Sequence, residues 1–233
     1  MKIIEGGVCA AQGFRAAGIH VGVKTHAAWK KDLALIYSEK RASAAAVYTT
    51  NLVKGAPLTV TRENISDGFA QAVICNSGNA NTCNANGNEI ATQMCALLGE
   101  ELHISGKDVV VASTGVIGQP LDIAPIQKGI PALVAGLGKN SEAACEGIMT
   151  TDTKLKEIAY EFKAGGKLCR IGGIAKGSGM IHPNMATMLV FVTTDCAIAP
   201  ALLRAALCED VKTSFNMVSV DGDTSTNDMV TVL

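Results

Sequence analysis

The chain has 233 residues, 48% of them apolar and 18% charged, with 20 Lys and Arg against 21 Asp and Glu and a formal net charge of -1. This is enough apolar material for a sizeable core, and too balanced a charge for the basic footprint of a nucleic-acid binder or a membrane-surface protein. No uninterrupted apolar run exceeds Met188 to Val192, far below the roughly 20 residues that cross a bilayer, and Glu5 with two neighbouring glycines breaks any signal-peptide core.

The cytoplasm is therefore the expected location, and a small molecule or another protein the expected partner. Eight cysteines without a CxxC spacing read as small buried hydrophobes. The four histidines, at 20, 26, 103 and 182, are too scattered to suggest a metal site.

In chain order, β-branched or apolar runs that end in turn residues predict strands at 32–38, 44–51, 70–79, 108–118, 167–177 and 186–195. Ile90, Met94, Leu97 and Leu98 recur at helical spacing after the polar "NANGN" and predict a helix. A second helix is expected over "PIQKGIPALVAGLG", weakened in its middle by Gly129 and Pro131. A third opens at Pro200 and carries Leu203, Ala206, Leu207, Val211 and Phe215 on one face. The final "DMVTVL" has strand character, and an apolar sheet edge is expected near Val230 to Leu233, with poor solubility or obligatory pairing as its consequence. Helices and strands without strict alternation predict an α+β fold with a largely antiparallel or mixed sheet. A glycine-rich waist lies at 163–179, with no clear linker.

Several stretches carry chemistry. "STGVIG", 113–118, follows an apolar strand; small residues there let the backbone turn sharply and direct N–H groups outward, as oxyanion and phosphate sites require. The asparagine- and glycine-rich "NSGNANTCNANGN", 76–88, predicts a convoluted loop that either lines a pocket or caps a helix. "VDGDTSTND", 220–228, fails the calcium-loop pattern because its glycine is misplaced and no glutamate closes it. "IAKGSG" lacks the order of a phosphate loop.

Thr187 opens an apolar strand after loose, glycine-rich backbone and the small Ala186. Such a threonine is ordinarily no more than a β-former. A threonine made N-terminal, however, gains an α-amine with a pKa of about 7.7–8.0, which can take the hydroxyl proton and make the oxygen a nucleophile.

"KGSGMIHPNMATML", 176–189, resembles the self-cleavage region of the ornithine acetyltransferase family, the bifunctional glutamate N-acetyltransferases of arginine biosynthesis. "GFRAAGIHVGVK", "KKDLALI", "NSGNAN", "STGVIG", "MTTDT", "RIGGIAKGSGMI" and "SFNMVSVDGDTSTND" resemble the same family in the same order, over the whole chain. The resemblance implies a layered αββα-like sandwich similar to the N-terminal-nucleophile hydrolases. It implies cleavage between Ala186 and Thr187, which divides the chain into an α region, 1–186, and the start of a β region, 187–233. Thr187 is then the nucleophile that moves acetyl from N-acetylornithine to glutamate through an acetyl-threonine. Thr114 and Gly115 hold the oxyanion, and Thr153 and Lys176 bind substrate, the lysine as a point charge for an α-carboxylate. No metal or organic cofactor is implied, with acetyl-CoA as a further acetyl donor, and the cleaved chains are expected to pair as α2β2.

Two departures stand out. "KLK" follows "MTTDT" where the family has Pro-Lys, and family members run well past "DGDTSTND", so the chain reads as C-terminally truncated. Two alternatives stay open: an amide hydrolase with the same threonine, and an inactive fragment acting as a binding or structural domain.

Overall fold

The computed structural model describes residues 1–25, 27, 29–180 and 188–233. In chain order the elements are β1 (Lys2–Ile4), β2 (Phe14–Ile19), β3 (Leu33–Ser43), β4 (Ala45–Tyr48), α1 (Ala56–Asn64), β5 (Phe69–Asn79), α2 (Gly87–Leu102), β6 (Val109–Val116), α3 (Ala124–Ala135), α4 (Ser141–Ile148), β7 (Lys156–Ala164), β8 (Lys167–Lys176), β9 (Leu189–Thr194), α5 (Pro200–Thr213) and β10 (Met229–Val232). No helix among the described residues is long and apolar enough to cross a membrane.

Two mixed sheets result. One is four-stranded, in the order β2-β3-β5-β6, and the other six-stranded, in the order β1-β7-β8-β9-β10-β4. Each contains one parallel pair, β5 with β6 and β9 with β10. Their connections run through α2 and α5 respectively, as parallel neighbours require.

Alternation along the strands explains the layers. Ala34, Ile36, Val73, Cys75, Val110 and Ala112 of the small sheet face Ile174, Leu189, Phe191 and Met229 of the large one. The residues between them, Leu33, Leu35, Ala72, Ile74, Val109 and Val111, face outward under Val60 of α1, Met94 and Leu98 of α2, and Ile126 and Leu133 of α3. With both faces buried, these strands read as continuous apolar runs. On the far side, Val190, Val230 and Val232 pack against Leu203, Leu207 and Val211 of α5. Burying one such side chain contributes about 1.5–3 kcal/mol. The α+β, αββα-like sandwich is thus present, with α4 packing Ala144, Cys145 and Ile148 into the inter-sheet core.

Some expectations are corrected. Ala206 is exposed, and Phe215 lies beyond the end of α5, so only Leu203, Leu207 and Val211 form that helix's buried stripe. The final strand is not a sheet edge: β10 pairs with β9 on one side and β4 on the other, and Val230, Val232 and Leu233 are buried. The edge passes to β4, whose sequence lies far upstream. The glycine-rich waist contains the turn and the second strand of a hairpin. Gly165 and Gly166, both at positive φ (56° and 76°), form the two-residue turn of the β7–β8 hairpin.

Candidate active site

The parallel strands β5 and β6 end side by side, with Ser77 opposite Thr114 and Gly78 opposite Gly115, and the register slips at Asn79. Gly78 and Gly115 both adopt positive φ, 120° and 132°, and a Cβ on Gly115 would lie 2.3 Å from the Gly78 carbonyl carbon. Only glycine fits so close a backbone approach. From the other sheet, β8 ends at Lys176, whose side chain crosses into this mouth and donates from Nζ to Thr114 Oγ1 at 3.0 Å. Both side chains are buried, Lys176 at 5% exposure and Thr114 at 8%. Residues 62 apart in sequence therefore meet where the strands of both sheets end.

A cleft of about 840 Å³ opens over them. Its lining includes Lys24, Asn79, Thr114, Gly115, Thr151, Lys176 and Asn227. Burial lowers the pKa of Lys176 and of Lys24, against the raising pull of nearby Asp152, Cys75 and Asp228 on the first and of Asp32 and Cys75 on the second. Lys24 Nζ donates to the carbonyls of Lys31 and Met149 at 2.6 and 2.7 Å. Asp152 is buried, which raises its pKa; hydrogen bonds from Lys156 and from the N–H groups of Gly177 and Thr150 outweigh this and hold it below the ordinary carboxylate range.

Three buried polar residues that sequence reading missed hold the surrounding segments in place. Asp32, fully buried at the start of "DLALI", accepts from the N–H groups of Val21, Gly22 and Lys24 and so fixes the loop that delivers Lys24. Asn227 donates to the carbonyls of Ala80 and Ser113 at 2.6 and 2.9 Å and accepts from Thr82 at 2.6 Å, tying the ends of β5 and β6 to the segment before β10. Asp228 accepts from Met188 N at 2.7 Å through Oδ1, while Oδ2 is buried without a hydrogen-bond partner among the described residues. The polar run "STND" signals a turn, and nothing local says which of its groups are buried.

Burial pushes the Asp228 carboxyl up to about 8, against the lowering pull of the Met188 N–H, Lys176 and Ser225. The folded protein therefore holds a proton that the unfolded chain releases near pH 4. Stability from this group is complete below the unfolded value and is lost as pH rises toward the folded one, at up to about 1.4 kcal/mol per pH unit. Urea midpoints measured between pH 5 and 8 are expected to fall with pH in the native chain and to flatten in Asp228→Asn; parallel curves would contradict the assignment.

Of the residues singled out in the sequence, Thr114, Gly115 and Lys176 come together. Thr153 is exposed on the turn between α4 and β7 and is not among the lining residues; its neighbours Thr150 and Thr151 are. Ala186 and Thr187 lie outside the described residues.

Two face-to-face sheets between helices, with polar side chains gathered where strands of both sheets end, define a sandwich of the N-terminal-nucleophile type. The L-aminopeptidase D-Ala-esterase/amidase of Ochrobactrum anthropi, described as a variant of the Ntn hydrolase fold, matches 97% of this chain and 73% of its own with a TM-score of 0.59; at 11% identity this likeness is one of fold alone. The chain belongs to the ArgJ family, whose profile matches residues 15–233. The arginine biosynthesis bifunctional protein ArgJ of Symbiobacterium thermophilum is 53% identical over 235 aligned positions, covering 100% of this chain and 58% of that protein. The chain thus spans little more than half the length of such relatives.

Among solved structures, the bifunctional protein argJ of Bacillus halodurans matches with a TM-score of 0.71 at 46% identity, over 79% of this chain and 97% of its own. The ornithine acetyltransferase of Mycobacterium tuberculosis, solved in complex with ornithine, matches with a TM-score of 0.70 at 31% identity, over 81% and 99%.

Proposed function

We propose that the cleft is the acetyl-transfer site of an ArgJ-type enzyme, with Thr187 as nucleophile after the bond from Ala186 is cut. Acetyl then passes from N-acetylornithine to Thr187 and on to the α-amine of glutamate, with no metal or organic cofactor and with acetyl-CoA as a second donor. The observation that carries this reading is the buried Lys176–Thr114 hydrogen bond beside Gly115. Because Lys176 can only donate, Thr114 Oγ1 accepts from it, which leaves the hydroxyl hydrogen free to donate to a third group. A hydroxyl polarised by an ammonium, next to a strand-end glycine, suits an oxyanion that develops as Thr187 Oγ adds to the acetyl carbonyl. The α-amine of Thr187 takes the hydroxyl proton and returns it to the departing ornithine amine.

Two further facts support the reading. Met188, the residue after Thr187, is tied by its N–H to Asp228, the neighbour in sequence of the cleft-lining Asn227. The two solved relatives are covered almost whole by about four fifths of this chain, and the segment ending at Ala186 is itself 186 of 233 residues. The pieces on either side of the cut share the large sheet through the β8–β9 and β10–β4 ladders, so cutting need not separate them.

Intact-mass measurement tests the proposal directly. Two pieces meeting at Thr187 are expected, absent in Thr187→Ala, and N-acetylornithine should add one acetyl group to the piece that begins with Thr187. Glutamate should discharge that acetyl as N-acetylglutamate. Release of free acetate at the same rate with or without glutamate would instead make the protein an amide hydrolase, and full transfer by Thr187→Ala would refute the nucleophile. Pairing of the cut chains as α2β2 belongs to the same proposal, and sedimentation equilibrium reads it.

A further inference from the structure

All eight cysteines are free thiols, and two of them, Cys169 near the start of β8 and Cys196 just past the end of β9, lie at the end of this strand pair away from the cleft. In the β8–β9 ladder the last paired residues are Ile171 and Thr194. One backbone bond follows beyond the ladder, from Asp195 N to the Arg170 carbonyl at 3.3 Å, and Arg170 N donates to the Asp195 side chain at Oδ1, 2.7 Å away. The next step sets Cys169 opposite Cys196.

Hydrogen-bonded and non-hydrogen-bonded pairs alternate along such a ladder, so 169 opposite 196 is a non-hydrogen-bonded position, where Cα atoms lie about 4.5 Å apart. A disulfide needs a Cα separation of about 4.4–6.8 Å. Both side chains point to the same face, since each lies two residues from a member of the pair Ile171 and Thr194. Burial, and after it the neighbouring Cys169 thiol, push the Cys196 thiol up. Cys169 is buried and Cys196 half-exposed, so one sulfur meets solvent and the other waits behind it.

We propose that Cys169 and Cys196 form a reversible thiol–disulfide pair that staples β8 to β9. With hydrogen peroxide as oxidant, the Cys196 sulfur attacks one oxygen and becomes a sulfenic acid as water leaves. The Cys169 sulfur then displaces the hydroxyl, which leaves as a second water, so two thiols and one peroxide give one disulfide and two waters. A dithiol returns both thiols by exchange. Lys176, at the other end of β8, is seven residues from Cys169, about 23 Å along an extended strand, so the pair is separate from the cleft. β8 precedes the Ala186–Thr187 bond and β9 follows it. In a chain cut there the disulfide joins the two pieces covalently; this consequence, unlike the disulfide itself, rests on the proposed cleavage.

The test uses the whole 233-residue protein. It is reduced, freed of reductant, treated with hydrogen peroxide, blocked with N-ethylmaleimide and digested with trypsin. The expected product joins the peptide Leu168–Arg170 to Thr187–Arg204 in a cut chain, or to Gly177–Arg204 in an uncut one, is two hydrogens lighter than the separate peptides, and disappears on treatment with dithiothreitol. Two of the eight thiols are lost to maleimide in the native chain, and the joined peptide is absent in Cys196→Ser. Both cysteines still maleimide-labelled while the exposed Cys83 and Cys208 take the oxidant would overturn the proposal, as would Cys196 oxidised to the sulfinic acid with Cys169 untouched. Intact mass with and without reductant separates the two readings: an uncut chain gives one species in both, and a cut, stapled chain gives two pieces only on reduction. Absence of cutting leaves the joined peptide in place.

Discussion

Gly115→Ala is expected to lower acetylation of Thr187 by N-acetylornithine by at least about 100-fold, the usual loss when one oxyanion donor is misplaced. The reason is steric and local. The new Cβ meets the Gly78 carbonyl carbon at 2.3 Å, its oxygen at 2.5 Å and Asn79 N at 2.6 Å. All three are backbone atoms, so no side chain can swing aside, and the ends of β5 and β6 must separate. The residue also sits at φ 132°, where an L side chain is strained by about 1–3 kcal/mol. Separation moves the Thr114 hydroxyl from Lys176 and turns the Gly115 N–H. The strands still close below, because Val109, Val110 and Val111 are fully buried.

Gly118→Ala is the control: its φ is 78° and nothing lies within 4 Å of its Cβ, so it takes the backbone strain without the clash. It should lose stability of the same order and keep its acetyl uptake. Equal uptake by Gly115→Ala and Gly118→Ala, measured by intact mass against time, would remove Gly115 from the site.

Lys176→Met is expected to separate activity from stability. The ammonium is buried and its pKa lowered, chiefly by loss of water, so the charge is held at a cost to the fold. Removing one member of a buried charge network usually destabilises by stranding its partner. Here no carboxylate is stranded, since Asp152 keeps Lys156 and two backbone N–H groups, and Asp228, pushed up to about 8, holds its proton at neutral pH. Methionine fills much of the same volume, and the urea midpoint at pH 7 should stay level or rise, in line with the zero to about 4 kcal/mol seen when apolar groups replace buried ion pairs. Acetyl uptake should fall by about 100-fold or more, because Thr114 loses the donor that orients it. A variant that is both less stable and fully active would reverse the role given to Lys176.

The fold was partly legible in the sequence, and the reason varies by element. "AQAVICNSGN" and "DVVVASTG" announce β5 and β6 because strands buried on both faces are continuous apolar runs ended by Asn, Ser and Gly. "KEIAYEFKA" does not announce β7, since Lys156, Glu157 and Ile158 are all exposed and the alternation is lost. "APLTVTREN" and "SEAACEGI" are short and written mostly in small or polar residues, so α1 and α4 lack a clear stripe. β2, "FRAAGI", is as inconspicuous, with alanines and a glycine in place of bulky apolar residues. Within the site, "STG", which the structure places inside β6, and Lys176 are visible as motifs, whereas Asp32, Asn227 and Asp228 look like ordinary polar residues of loops and turns. Their importance comes from burial, which one sequence does not display.

The sequence by itself determined the fold class, the main buried strands, three of the helices and the family, because each depends on residue order over a short span. The tertiary structure alone decided that Lys176 reaches Thr114, that Asn227 binds two strand ends, that Cys169 faces Cys196 and that the last strand lies inside a sheet. Thr231 pairs with Ala46 across most of the chain. Such a pairing depends on the closing of two sheets over a shared core, and nothing in the residues near either partner specifies it.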